Sequence, residues 1–262
     1  MAKHKEHKEH KEDKSIHVEQ APKIKIELNI RDYVFKPKQQ DFIKIALNKD
    51  TKMCLLDGIW GSSKTFLSVY CSLMLLKEKK VSKILYIRNP CEFTKSGKMG
   101  FIKGDINEKL GPYMQPFTAK LYEFLTKPQI DYLINEGKIE CLPIGYVQGY
   151  TFNATAIIVD EAVSMTKEEI LMVLSRMGEH SKMFVIGDTF FQNTIGEKSG
   201  FKEIFNIFSD QDSKDNGIFT FEFKELEDVL RSSFVRFIMT KLRLLEQSKG
   251  IDWSPSSKSD KK

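Results

Sequence analysis

Apolar residues fall along this chain in two rhythms, and the rhythms alternate. Met53-Cys54-Leu55-Leu56 is a short unbroken apolar run closed by Asp57. Ala156-Ile157-Ile158-Val159 and Met183-Phe184-Val185-Ile186 are two more, closed by Asp160-Glu161 and by Gly187-Asp188. Runs of this length, bounded by polar residues or glycine, predict strands buried on both faces. Residues 83–87, 139–142 and 218–223 predict further strands. Residues 24–30 alternate apolar positions with Lys25, Glu27 and Asn29 and predict an edge strand. Between the strands the apolar spacing becomes helical. Phe66, Val69, Tyr70, Leu73 and Leu76 share one face of a helix over 64–79. Helices are also predicted over 41–48 (opened by Pro37-Lys38-Gln39-Gln40), 105–126, 129–136, 166–177, 200–208 and 227–247. The last carries Phe234, Phe237, Ile238, Leu242 and Leu245 on its face. Strand alternating with helix predicts an α/β domain with a mainly parallel sheet flanked by helices.

The strand ends carry the chemistry. After the first core strand comes Gly58-Ile59-Trp60-Gly61-Ser62-Ser63-Lys64-Thr65, and then a helix. Strand, glycine-bearing loop, Lys-Thr and helix is the layout of a phosphate-binding P-loop. The N–H groups of the loop and of the helix N-terminus form an anion cradle. Lys64 can reach the β- and γ-phosphates, and the Thr65 hydroxyl can ligate magnesium. Gly58 and Gly61 are expected to let the backbone approach the anion. Ser63 stands where glycine is usual before the lysine; if that position needs positive φ, serine is strained there. The alternative is a strand-to-helix turn with a chance Ser-Lys-Thr.

Asp160 and Glu161 end a core strand, where carboxylates are costly unless they act or reach solvent. The first suits a magnesium-holding acid and the second a residue that polarises attacking water. The alternative is a pair of acids favoured near the next helix N-terminus. Asp188 suits either a sensor of the γ-phosphate or its metal, or an Asx turn. All three motifs fall at the carboxyl ends of strands, where ligands sit in such sheets.

Composition narrows the setting. With 262 residues, 41% hydrophobic and 29% charged, the chain can bury a sizeable core as a globular protein. No apolar run is long enough to span a bilayer, and the charged N-terminus lacks a signal-peptide core, so no membrane partner and a cytoplasmic location are expected. Cys54, Cys71, Cys91 and Cys141 show no C-x-x-C pair, which argues for a reducing compartment and against structural zinc. Cys54 and Cys71 fall in core-like patterns and read as inert. The net charge of +5 permits nucleic-acid binding without demanding it. Residues 1–23, with a Lys-Glu-His repeat, read as a charged disordered arm, and residues 248–262 as a polar tail, leaving 24–247 as the folded domain. Only His180 falls in the folded region, in an expected exposed turn, which argues against a histidine general base.

The chain resembles the PhoH-like family of P-loop ATPases, in the compact form typical of bacteriophage genomes. The likeness runs from about residue 37 to 236. Beyond the P-loop it rests on Gly100-Phe101-Ile102-Lys103-Gly104-Asp105 with Lys109, Pro112-Tyr113 and Pro116. It also rests on Tyr146, Gly149, Thr151 and Asn153 leading into Val159-Asp160-Glu161-Ala162, then on Gly187-Asp188, Lys198-Ser199-Gly200-Phe201 and Glu227-Asp228-Val229-Leu230-Arg231. The family is similar to the RecA-like motor core of superfamily 1 helicases. Its members are ATPases linked to phosphate starvation and, where a nuclease domain is attached, to RNA unwinding and cleavage. The resemblance implies a single P-loop NTPase (RecA-like) domain using ATP and Mg2+, with RNA or single-stranded DNA as partner. It also implies a homo-oligomer, such as a hexameric ring, in the cytoplasm (of the host, if phage-encoded). It assigns Gln39 to reading adenine and Arg231 to an arginine finger, in cis or from a neighbouring subunit. Arg88 matches another basic family position, or is a surface cation at a strand end. Five positions depart from the pattern. Ser63 replaces the last loop glycine, Val163 stands where glutamine is common, Gln192 falls one residue late, and Gln148 and Tyr150 stand where relatives often carry arginine.

Three functions follow as expectations. The first is an ATPase acting on, or stimulated by, RNA or single-stranded DNA, with Lys64, Glu161 and Arg231 catalytic. Gln39, Gly58, Gly61, Ser62, Ser63, Lys64, Thr65, Arg88 and Asp188 would then bind nucleotide, with Thr65 and Asp160 at the metal. The second is a nucleotide-dependent oligomeric scaffold with little hydrolysis, motivated by the departures. The third is a small-molecule kinase, against which the paired acids count.

Overall fold

The computed structural model describes residues 27–89, 106–190, 198–229 and 232–248. Six parallel strands form one sheet in the order β3-β2-β4-β5-β1-β6. They are β1 (Met53–Gly58), β2 (Lys83–Arg88), β3 (Ile139–Pro143), β4 (Thr155–Asp160), β5 (Lys182–Gly187) and β6 (Ile218–Phe223). The helices are α1 (Pro37–Leu47), α2 (Lys64–Lys77), α3 (Ile106–Phe124), α4 (Lys127–Asn135), α5 (Lys167–Leu174), α6 (Phe201–Ile207), α7 (Gln211–Asp215) and α8 (Ser233–Ser248). The fold is the expected single α/β domain, and every pairing in the sheet is parallel.

The unbroken apolar runs are the central strands because both faces are covered. Alternate residues feed two cores. Cys54, Leu56, Tyr86, Ile158, Phe184 and Ile186 pack under α1–α4. Leu55, Leu85, Ile87, Ile157, Val159 and Val185 pack with Ile170 and Val173 of α5 and Phe201 and Ile204 of α6. A third, small cluster seats Met239 of α8 against Ile59 and Val229, so the loop after β1 is held from above by the last helix. Helix starts follow their local chemistry. Pro37 and Pro128 stand in the first turns of α1 and α4. Thr166 and Glu169 form a reciprocal capping box at α5.

Two expectations are corrected. Residues 27–30 form no strand, and 24–26 lie outside the described residues. The Arg31 N–H instead donates to the Phe124 carbonyl at 3.0 Å, and Gln129 Nε2 donates to the Glu27 carbonyl at 3.1 Å. Leu28 and Ile30 pack on the core. The exposed carbonyls at the end of α3 need donors, and this segment supplies one there rather than along a sheet edge. The helix predicted over 227–247 is also divided. Leu226–Asp228 is a 3₁₀ turn, Val229 is extended, and α8 begins at Ser233, where Ser232 Oγ accepts from the Val235 N–H at 3.1 Å. The short helix α7 was not foreseen. The expected arm, residues 90–105 with Cys91, Gln192 and nearly all of the tail lie outside the described residues.

Candidate active site

The P-loop begins at Gly58, the last residue of β1; Arg88 ends β2, Asp160 ends β4 with Glu161 next, and Gly187 ends β5 with Asp188 next. All stand on the carboxyl edge of the sheet, with β5 between the P-loop strand and the acid-bearing strand. A cavity of about 940 Å³ opens there, lined by Gln39, Gly61, Ser62, Ser63, Lys64, Thr65, Asp160, Glu161 and Gly187 among others, while Gly58, Arg88 and Asp188 do not line it.

The loop makes two left-handed turns, on either side of Ser62. Gly61 has φ 74° and Ser63 φ 66°. The strain expected of a serine before the lysine is therefore present. Ser63 is also the residue from which α2 starts, and its side chain makes no capping hydrogen bond. Lys64 folds back over the loop, its Nζ donating to the Gly58 carbonyl at 2.6 Å and the Ile59 carbonyl at 3.1 Å. Burial pulls its pKa down, while Asp188, Asp57, Asp160 and Glu161 push it up. A lysine amine held beside acids and carbonyls at a helix N-terminus suits an incoming polyphosphate.

Thr65 Oγ1 donates to Asp160 Oδ1 at 3.3 Å. A hydroxyl facing a carboxylate at the mouth of a phosphate cradle is the donor set by which magnesium is held between protein and phosphate. No group of three or more metal-ligating side chains occurs among the described residues. Magnesium coordinated mainly by phosphate and water, with one hydroxyl and one carboxylate from protein, needs no such cage. The residues present fit that ion.

Glu161 sits at φ 55°, a second strained non-glycine residue at the cavity. Its carboxylate lies 3.6 Å from Arg88 Nη2. Burial and the neighbouring Asp160 raise its pKa, and Arg88 opposes the rise. Arg88 is thus partnered to Glu161. Asp188 is fully buried, and its Oδ1 accepts from the Phe190 N–H at 3.0 Å, so the Asx turn is present. Gln39 lines the cavity from the first turn of α1 while its Oε1 accepts from the Lys36 N–H at 3.0 Å. Gly58 has a packing reason of its own. A Cβ there would meet the Phe223 carbonyl oxygen at 2.5 Å, so its smallness serves the β1–β6 contact. Gly187 and Gly200 are similar, packed against the Phe201 ring and the Lys167 backbone. Arg231 lies outside the described residues.

Sequence reasoning missed several groups. Asp57 is buried and takes two hydrogen bonds from Thr189, at 3.0 Å from its N–H and 2.8 Å from its hydroxyl. Lys224 stands 3.5 Å away. The signal was an acid closing a core strand, the same signal used for Asp160. Tyr33, Phe35 and Phe66 line the cavity as an aromatic wall, with Tyr33 and Phe66 edge-to-face at 4.9 Å. Tyr86 reaches Asp160 from inside β2.

The model of the family described as PhoH-like protein matches residues 34–243. A PhoH-like protein of Synechocystis is 35% identical over 151 residues, 58% of this chain and 45% of that protein. One from Bacillus subtilis is 33% identical over 144 residues, 55% and 44%. Protein PhoH of Escherichia coli is 31% identical over 152 residues, 57% and 42%. The aligned part spans under half the length of these curated relatives. No helix among the described residues is long and apolar enough to cross a membrane. A P-loop on a parallel sheet, acids on the strand two places away, and a family match across most of the chain lead to one assignment: this chain belongs to the PhoH-like family of P-loop ATPases.

Proposed function

We propose that the chain binds and hydrolyses ATP, and that RNA or single-stranded DNA stimulates it or is acted on by it. The observation carrying this reading is the meeting of Lys64, Thr65, Asp160 and Glu161 around one cavity at the start of α2. Loop and helix N–H groups would hold the phosphates, and Lys64 would leave the Gly58 and Ile59 carbonyls to reach them. Magnesium, when bound, supplies charge neutralisation on the β- and γ-phosphate oxygens. Thr65 and Asp160 would hold it. Glu161, its basicity raised by burial, would take a proton from the attacking water. Arg88 would steer its carboxylate. Gln39 would face the base, and Arg231 would complete the site in cis or from another copy of a homo-oligomeric ring.

A second reading, a nucleotide-dependent oligomeric scaffold, draws on the strain at Ser63 and the engagement of Glu161 by Arg88. One experiment separates the two: phosphate release with and without single-stranded RNA or DNA, for wild type, Lys64→Ala and Glu161→Gln. Under the first reading, nucleic acid raises turnover. Glu161→Gln then loses about 10²–10⁴-fold in rate with ATP still bound, and Lys64→Ala loses ATP binding as well. Tight ATP binding without turnover in wild type favours the scaffold. Undiminished hydrolysis by Glu161→Gln sinks its assignment as base.

A further inference from the structure

Tyr86 stands in the middle of the apolar strand β2, where only packing is expected. It is fully buried. Its ring stacks on Phe117 of α3, centroids 4.6 Å apart and planes 7° from parallel. Its hydroxyl donates to Asp160 Oδ2 at 2.7 Å. A buried phenol must find a partner, and this one finds the carboxylate that faces the phosphate cradle.

The remaining contacts of Asp160 give that bond its meaning. Oδ1 accepts from the Glu161 N–H at 3.0 Å and from Thr65 Oγ1 at 3.3 Å. The two oxygens are thereby divided, Oδ2 toward the core and Oδ1 toward Thr65 and the cavity. A carboxylate with one oxygen tied by a short hydrogen bond cannot rotate freely about its Cβ–Cγ bond. Arg88, two residues beyond Tyr86, pairs in register with Asp160. One strand therefore supports both acids: Tyr86 holds Asp160, and Arg88 meets Glu161.

We infer that Tyr86 is a positioning residue for the metal-facing acid: it fixes Asp160 so that a single oxygen is presented beside the Thr65 hydroxyl, and its stacking on Phe117 ties that orientation to α3. The inference rests on the reading of the cavity as a magnesium-nucleotide site. Groups that orient a metal-facing carboxylate typically change metal affinity or activity by about 10–100-fold when removed.

The test is Tyr86→Phe in the full chain, which keeps the ring and its stacking. A fluorescent non-hydrolysable ATP analogue is bound at increasing MgCl2, beside thermal melting and ATP turnover. The half-saturating magnesium concentration should rise about 10-fold. Analogue affinity without magnesium should stay within about twofold of wild type, and at saturating magnesium kcat should fall while KM for ATP holds. Phe117→Leu, which loosens the stack but keeps the hydroxyl, should move the magnesium midpoint the same way by less. An unchanged midpoint in Tyr86→Phe overturns the inference, whether or not melting falls, because a purely structural tyrosine would lower stability and leave magnesium dependence alone. Lys64→Ala reports separately on the underlying site. If it binds the analogue as wild type does, the nucleotide reading itself fails.

Discussion

Ser63 holds a left-handed backbone that its Cβ resists, at the residue that starts α2. For a non-glycine residue that conformation costs roughly 1–2 kcal/mol. Glycine would remove the strain but adds freedom to the unfolded chain, which returns part of the gain. Ser63→Gly should therefore stabilise the nucleotide-free protein by about 0.5–1 kcal/mol, and Ser63→Ala should not. Urea unfolding of the two variants decides it, and a glycine variant no more stable than wild type would place the strain elsewhere. This strain was legible because the motif says which residue turns, and a turning residue with a Cβ is conspicuous. Tyr86 was not legible. Its hydroxyl acts across 74 positions of sequence, and in a strand a tyrosine looks like any other large core residue. Asp57 was legible in principle, since it is an acid closing a core strand, the same pattern that marks Asp160. The Glu161–Arg88 pair needed the register of β2 on β4, which no local pattern contains.

At the scale of elements, the central strands β1, β4 and β5 were readable because strands covered on both faces leave few polar positions to confuse the pattern. Residues 27–30 misled because alternation says that one side is apolar and not what it packs on. Here that side meets the core beside α3 and α4, not a neighbouring strand. The split before α8 was hidden because Val229 fills a helical apolar position while serving the small cluster around Ile59. Contacts between elements also explain why position 58 is glycine. Its Cβ position is 2.5 Å from the Phe223 carbonyl oxygen and 2.8 Å from the Phe223 Cβ, neither of which can swing aside. Gly58→Ala should push β6 from the end of β1 and destabilise the protein by roughly 1–3 kcal/mol, the usual cost of overpacking. Nucleotide binding should weaken with it, since Lys64 and the Ile59 N–H both meet this junction. Urea unfolding gives the first quantity and analogue titration the second. A variant as stable as wild type would mean the β1–β6 junction can open without loss.

Across the whole molecule, the two cores flank one sheet, and three cysteines lie buried in the α1–α4 core: Cys54, Cys71 and Cys141. Burial pushes the thiols of Cys54 and Cys141 up to about 12 and that of Cys71 well above its ordinary value. In the unfolded chain a thiol titrates near ~8.5. These groups therefore contribute stability that is fully present below about pH 8.5, and that is lost as pH rises toward and through the folded values. Across that window each thiol steepens the loss by up to about 1.4 kcal/mol per pH unit, because the unfolded state releases a proton that the folded state keeps. Tyr86, also raised by burial, adds a loss of the same sign at higher pH. Lys182 acts oppositely, since burial lowers its pKa and its charged form is the disfavoured one in the fold. Urea midpoints should thus be nearly flat from pH 7 to 8.5 as far as these thiols decide it, and fall beyond. Cys54→Ala should show a shallower alkaline fall than wild type, whatever its stability at pH 7. Alkylation mapped by mass spectrometry at pH 8 should spare Cys54, Cys71 and Cys141 in the native protein and modify all three in denaturant. Labelling of Cys54 without denaturant, or an alkaline slope unchanged in Cys54→Ala, would show that the sheet opens on the timescale of the reaction and that its core does not hold these thiols protonated.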